Sequence, residues 1–206
     1  MRFVGCVIIL ALSPSIGAAP PTKSEEQIVQ KSKSQAPQVP PEVARYLKGA
    51  LPEGQQFAFL IGDWDVAATR YKEDGSPLFQ YKASWNAKYL NDGRMIVDDF
   101  KAYGPTSQAV SSYVTLRTYS EATHRWEMVG LSALQPAASA EWYGELKDGE
   151  MLLDASGKDP AGNMVKTKIR FFNIAKNSFS WESEISRDEG KTWVKTASLL
   201  ASRVSQ

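Results

Sequence analysis

Phe79-Gln80-Tyr81-Lys82-Ala83-Ser84-Trp85-Asn86-Ala87-Lys88-Tyr89 decides the fold class of this chain. Aromatic and small residues take the odd positions, and polar residues take the even ones. A strand sends successive side chains to opposite faces, so a period of two reads as a half-buried strand. Downstream, Val165, Thr167, Ile169 and Phe171 alternate with Lys166, Lys168 and Arg170. Phe179, Trp181 and Ile185 alternate with Ser180, Glu182 and Glu184 in the same way.

Turn chemistry separates these runs. Asp74-Gly75-Ser76-Pro77, Asn91-Asp92-Gly93, Tyr103-Gly104-Pro105, Lys147-Asp148-Gly149 and Lys158-Asp159-Pro160-Ala161-Gly162-Asn163 all favour tight reversals. Asp148-Gly149 sits between Glu141–Lys147 and Met151–Ala155 and predicts a short hairpin. From Phe57 onward this gives about ten strands with no helical stretch between them. A long antiparallel meander removes its exposed edges by closing into a barrel; a two-sheet sandwich is the alternative.

Upstream the pattern changes. Arg2, an apolar run from Val4 to Leu12, the breaker Pro14 and the small residues Ser15, Gly17, Ala18 and Ala19 read as an export signal over residues 1–19. The run is short for a membrane span, although a retained anchor is the alternative. Cys6 lies inside the apolar core, whereas a lipid-attachment cysteine follows it. Residues 20–56 carry Pro20, Pro21, Pro37, Pro40 and Pro41 among Ser, Lys and Gln, which predicts a tether. Within it, Pro41 starts and Gly49 and Pro52 stop a short helix over Glu42–Lys48. Residues 57–206 form the β domain.

Composition excludes several classes. The chain has 206 residues, with 24 Lys and Arg against 23 Asp and Glu, a net charge of +1. Signal cleavage would remove Arg2 and balance the charge. Such a surface argues against a nucleic-acid partner. One cysteine allows no disulfide framework or thiolate zinc site, and one histidine, His124, allows no multi-histidine metal site. Neither a phosphate-cradling loop, a dinucleotide fingerprint, a calcium loop nor a nucleophile elbow occurs. No cofactor, metal or catalytic residue is assigned. A cysteine-free mature chain suits the periplasm or secretion.

Phe57-Ala58-Phe59-Leu60-Ile61-Gly62-Asp63-Trp64-Asp65-Val66 is a helical turn, a Gly-x-Trp and a strand. It resembles the opening of lipocalins and their calycin relatives. That resemblance implies that Trp64, after Gly62, plugs the closed end of a barrel under a late basic residue, either Arg203 or Lys195. Trp85, Leu90-Asn91-Asp92-Gly93-Arg94, Leu116-Arg117-Thr118-Tyr119, Arg125-Trp126 and a last hairpin around Trp181 and Trp193 carry the resemblance further. Phe57 to Ser202 looks like a bacterial exported lipocalin-like domain family of unknown function. The resemblance implies a barrel with a ligand cavity and no particular activity. Ser186-Arg187-Asp188-Glu189-Gly190-Lys191-Thr192-Trp193 resembles an Asp-box, which implies a structural hairpin held by Ser186, Asp188, Gly190, Thr192 and Trp193.

The candidate chemistry is sparse. His124 reads as a surface turn residue. Asp98 and Asp99 are adjacent and face opposite ways; Arg94, at i, i+4 from Asp98, is its expected ion-pair partner. Glu182 and Glu184 share a face that reads as solvated. Tyr113, Thr115, Arg117 and Tyr119 share one face, opposite Val114 and Leu116; parity leaves open whether that face is surface or pocket. Trp85, Trp126, Trp142 and Trp181 serve as packing or as ligand contacts. The leading expectation is an exported barrel that binds a small, mostly apolar molecule through these four tryptophans, Tyr113, Arg94 and Arg117. One alternative is a hydratase, isomerase or hydrolase using Asp98 or Glu182. The other is an envelope interaction domain with a filled barrel. No stable membrane span is expected after processing.

Overall fold

The computed structural model describes residues 39–138, 141–159 and 161–205. The expected export signal and most of the tether lie outside these residues. A helix, α1, runs Pro41–Leu47 with Glu42 in its first turn and Arg45 in its last. It belongs to a unit separate from the one that begins at Lys48.

From Gly62 the chain is a meander of eleven strands: β1 Gly62–Tyr71, β2 Pro77–Leu90, β3 Met95–Tyr103, β4 Ala109–Ser120, β5 Arg125–Ser132, β6 Gln135–Ala138, β7 Trp142–Lys147, β8 Glu150–Lys158, β9 Met164–Ala175, β10 Ser178–Ser186 and β11 Val194–Arg203. Every pairing is antiparallel and β1 pairs with β11, from Trp64↔Arg203 to Arg70↔Ala197. Ten strands therefore close a barrel rather than a sandwich. The eleventh, β6, is a four-residue strand that pairs only with the end of β5. The β5–β7 seam is short, with three residue pairs from Trp126↔Gly144 to Met128↔Trp142.

The turns sit where Gly, Asn and Asp accept a positive φ. Asp148 and Gly149, at φ 51° and 80°, make the two-residue hairpin between β7 and β8. A 3₁₀ segment, Pro52–Leu60, precedes β1 and buries Phe57 and Leu60 at one barrel end. That end, the floor, also holds the β2–β3, β4–β5, β7–β8 and β9–β10 turns. The other end is the mouth.

Burial settles the parity of β4. Thr115 and Arg117 are buried, while Val114 and Leu116 lie on the outer wall with the exposed Val129 and Leu131 of β5. This wall is inverted relative to the usual inside-apolar rule, because the interior holds an ion pair.

Candidate functional site

The lower half of the barrel is packed. Trp64 is 1% exposed, and its indole N–H donates to the Leu60 carbonyl at 2.8 Å. The Arg203 guanidinium carbon lies 4.1 Å from the centre of the Trp64 ring system. That guanidinium also donates to the carbonyls of Ile61 at 2.8 Å, Lys176 at 2.9 Å and Phe59 at 3.3 Å. Gly62 has φ +121°, and a Cβ there would meet Arg203 Nη1 at 2.5 Å, so only glycine lets the arginine reach the ring. Lys195 is not over Trp64. A bulge in the β10–β11 register turns it to the outer wall, where it meets Glu182 at 2.8 Å.

Above the plug lie Phe57, Trp85, Trp126, Phe171 and Phe179, all buried. Phe57 meets Trp126 edge-on at 4.8 Å and Phe171 at 5.8 Å. Such pairs add about 0.5–1.5 kcal/mol each beyond the area they bury. The Trp126 indole N–H donates to Gln56 of the 3₁₀ segment at 3.0 Å. Gln56 closes the floor although composition places it in the tether; a lone glutamine beside a proline-rich stretch carries no periodic signal.

An ion pair caps this packed half. Arg117 Nε donates to Asp98 Oδ2 at 2.7 Å, with the two side chains 4% and 2% exposed. The Trp85 indole N–H donates to the other carboxylate oxygen at 2.8 Å. The guanidinium carbon of Arg117 lies 4.9 Å from the Phe57 ring centre, and Arg117 Nη1 donates to the Met128 sulfur at 3.2 Å. A desolvated charge requires partners of this kind.

The expectation that Arg94 pairs with Asp98 is therefore corrected. Asn91, Asp92 and Gly93 all take positive φ, so β3 begins only at Met95 and the i, i+4 count from Arg94 crosses a turn. Arg94 Nη1 points back to the Asn91 carbonyl at 3.4 Å. Trp85 and Trp126 belong to the packed half and do not line an open space. The acid–base reading also loses its premise: Asp98 is paired inside, and Glu182 is paired outside with Lys195 and, at 3.1 Å, with Arg170. His124 is an exposed turn residue with φ 52°. Among the described residues, no group of three or more His, Cys, Asp or Glu is placed to hold a metal.

The upper half is different. Phe100 and Tyr113 face each other across β3 and β4 one row above Asp98 and Thr115. Tyr81, Trp142, Ile169 and Trp181 share the inner face with them. These six side chains point inward yet are only half-buried. Tyr113 leans across Gly130, where a Cβ would meet its hydroxyl at 2.0 Å. A cavity of about 280 Å³ opens on the β7–β10 side of the mouth, lined by Trp142, Ala155, Val165, Thr167 and Ile185 with the charged Lys158, Asp159 and Arg187; of those six inward side chains only Trp142 lines it. Sequence reasoning missed Ala155, Val165, Thr167 and Ile185. Their even spacing was visible, but small and aliphatic strand residues read as ordinary filler.

A larger depression, about 400 Å³, lies on the outer wall between Trp193 and the outward residues of β8 and β9. Three of its charged side chains are already engaged. The Lys168 ammonium lies 3.7 Å from the centre of the Trp193 rings, Lys166 donates to the Glu189 carbonyl at 2.9 Å, and Asp154 pairs with Arg125. The chamber inside the mouth is the better candidate.

The β10–β11 loop beside that depression is held by one carboxylate. Asp188 accepts from the Thr192 amide at 2.9 Å, the Thr192 hydroxyl at 2.7 Å and the Ser186 hydroxyl at 2.8 Å. Gly190, at φ 97°, donates its amide to Ser186 Oγ at 2.8 Å and accepts from the Trp193 indole at 3.1 Å. The hydrogen bonds from Thr192, then that from Ser186, hold the Asp188 carboxyl far below its ordinary pKa. A carboxylate with a depressed folded pKa contributes its full stabilisation above the unfolded value, near 3.9, and loses it only as pH falls below that. Trp193 emission should thus stay flat from neutral to mildly acidic pH and change only in strong acid. In Asp188→Asn it should already be changed at neutral pH. A transition centred at pH 5–6 in the native chain would contradict this.

Comparison with known proteins supports the fold. No protein-family model matches the chain, and no curated protein matches it. The crystal structure of Rv2717c from M. tuberculosis matches with a TM-score of 0.52 at 12% identity, covering 76% of this chain and 99% of that one. The S-type phycobiliprotein lyase CPES from Guillardia theta matches with a TM-score of 0.54 at 11% identity, covering 78% of this chain and 97% of that one. At such identities the likeness is one of fold, a lipocalin-like barrel.

Proposed function

We propose that this protein is an exported barrel that holds one small, mostly apolar molecule in the chamber at its mouth. One observation carries the reading: a cavity of about 280 Å³, lined by Trp142, Ala155, Val165, Thr167 and Ile185, opens at the mouth above a packed aromatic floor. A pocket near the lower end of the usual ligand range, apolar inside with Lys158, Asp159 and Arg187 also in its lining, suits a compact ligand. Trp142 supplies a face for stacking, and Thr167 supplies a hydroxyl. Export rests on residues 1–19, and the proline-rich stretch after them serves as a tether in the periplasm or outside the cell. Among the described residues no helix is long and apolar enough to cross a membrane.

Native mass spectrometry of the protein purified from its own cells should show a stoichiometric small-molecule adduct. The mature mass should lack about the first nineteen residues. Thr167→Trp, which fills the chamber from β9, should remove the adduct while leaving the far-ultraviolet spectrum unchanged. An unliganded mass for both proteins, with no tryptophan emission change across a panel of apolar compounds, rejects the reading.

A further inference from the structure

We propose that the chamber takes a small apolar carboxylate, whose body packs against Trp142, Val165 and Ile185 and whose head is gripped by Arg187 at the rim. The inference rests on the chamber being a binding site and names the class of molecule it holds. It follows from the charges in the cavity's own lining: Lys158, Asp159 and Arg187. Two are cations and one is an anion, which leaves a net charge of +1. All three stand where strands end at the mouth. Lys158 closes β8, Asp159 begins the turn into β9, and Arg187 follows β10. Below them Ala155, Thr167 and Ile185 lie side by side on β8, β9 and β10 and carry no charge. The lining therefore runs from apolar inside to cationic at the edge.

The one anion is committed to its own turn. Asp159 Oδ1 accepts from the amides of Ala161 at 3.0 Å and Asn163 at 2.9 Å, and Oδ2 accepts from the Asn163 side chain at 3.3 Å. Arg187 is held far more loosely. Its Nη1 reaches Asp159 Oδ2 at 3.4 Å, and its Nε lies 3.8 Å from Glu73, whose side chain is 85% exposed. Neither contact uses Nη2. Pairs this long between exposed groups contribute little. Lys158 is exposed and makes no ion pair with another described residue. A guanidinium presents two parallel N–H donors to both oxygens of a carboxylate, a grip that the Lys158 ammonium cannot give. Ile185 precedes Arg187 by two residues, so a carboxylate on an apolar ring can meet the arginine while the ring stays in the chamber.

Naphthoate and naphthamide test this directly, since they share one skeleton and one shape and differ by the charge. Titrated by calorimetry against the mature full chain at neutral pH, naphthoate should bind at least roughly tenfold more tightly, the scale of hydrogen bonds to a charged group. Arg187→Gln should remove most of that preference by weakening naphthoate alone. Lys147→Gln removes one positive charge at the far end of the barrel, where β7 ends, and should change neither affinity. Thr167→Trp should abolish binding of both compounds. Far-ultraviolet circular dichroism checks that each variant is folded.

Equal affinities in the native chain, or tighter binding of naphthamide, overturn the inference while leaving the chamber as a binding site. So does a preference undiminished in Arg187→Gln, or one that Lys147→Gln reduces equally. If neither compound binds, or if Thr167→Trp changes nothing, the chamber reading falls and takes the inference with it.

Discussion

Trp64→Ala should lower the unfolding free energy by about 3–5 kcal/mol, the usual cost of emptying a buried large aromatic site. The indole is 1% exposed and meets Phe179 at 4.8 Å. Its removal leaves a cavity at the floor and strips the Leu60 carbonyl of its donor. It also leaves Arg203 with carbonyl partners but no ring beneath it, a cation–π contact worth about 0.5–2 kcal/mol. Domains of this size are stable by about 5–15 kcal/mol, so the loss is roughly a fifth of the total or more. The melting temperature should fall by on the order of 10 °C. Urea unfolding followed by circular dichroism measures it. Trp64→Phe, which keeps one ring but loses the N–H donor and part of the indole volume, should cost less than Trp64→Ala. Trp193→Ala is the comparison outside the barrel, because that indole is half-exposed on a loop. Equal losses for Trp64→Ala and Trp193→Ala would show that the floor plug has no special weight.

The strands, their turns and this plug were legible because each has a local signature. Period two in 79–89 needs only the pleat, and Asp148-Gly149 needs only two residues able to take positive φ. Sidedness was harder. Both faces of β4 are mixed, with Tyr113, Thr115 and Arg117 against Val114 and Leu116, and the chain buries the more polar one. That choice depends on Asp98 arriving from β3 with a compensating charge, a relation between strands rather than along one. Arg94 misled for a related reason, since counting along a strand fails for a residue still in the turn before it. The chamber was least legible. A half-exposed Trp142 and a buried Trp126 carry the same letter, and only their height in the barrel separates them.

Arg117→Ala and Asp98→Ala should each cost about 3–5 kcal/mol, because each leaves its partner charged in a site closed to water. Arg117→Ala leaves Asp98 with only the Trp85 N–H, and Asp98→Ala leaves the guanidinium with a thioether and aromatic faces. The double replacement Asp98→Asn/Arg117→Met removes both charges and keeps most of the volume. It should cost far less than the sum of the single losses, so a double-mutant cycle should show strong coupling. The neighbouring pair Lys101–Asp99 provides the contrast. It is just as short, at 2.8 Å, but its side chains are 47% and 35% exposed. Pairs this exposed contribute little, so Lys101→Ala should change stability too little to resolve. The two carboxylates sit side by side on β3, one facing in and one facing out, and the pairs differ chiefly in their access to solvent. If Lys101→Ala proved as damaging as Arg117→Ala, burial would not be what makes the inner pair costly to break, and the layer separating the packed floor from the chamber would need another explanation.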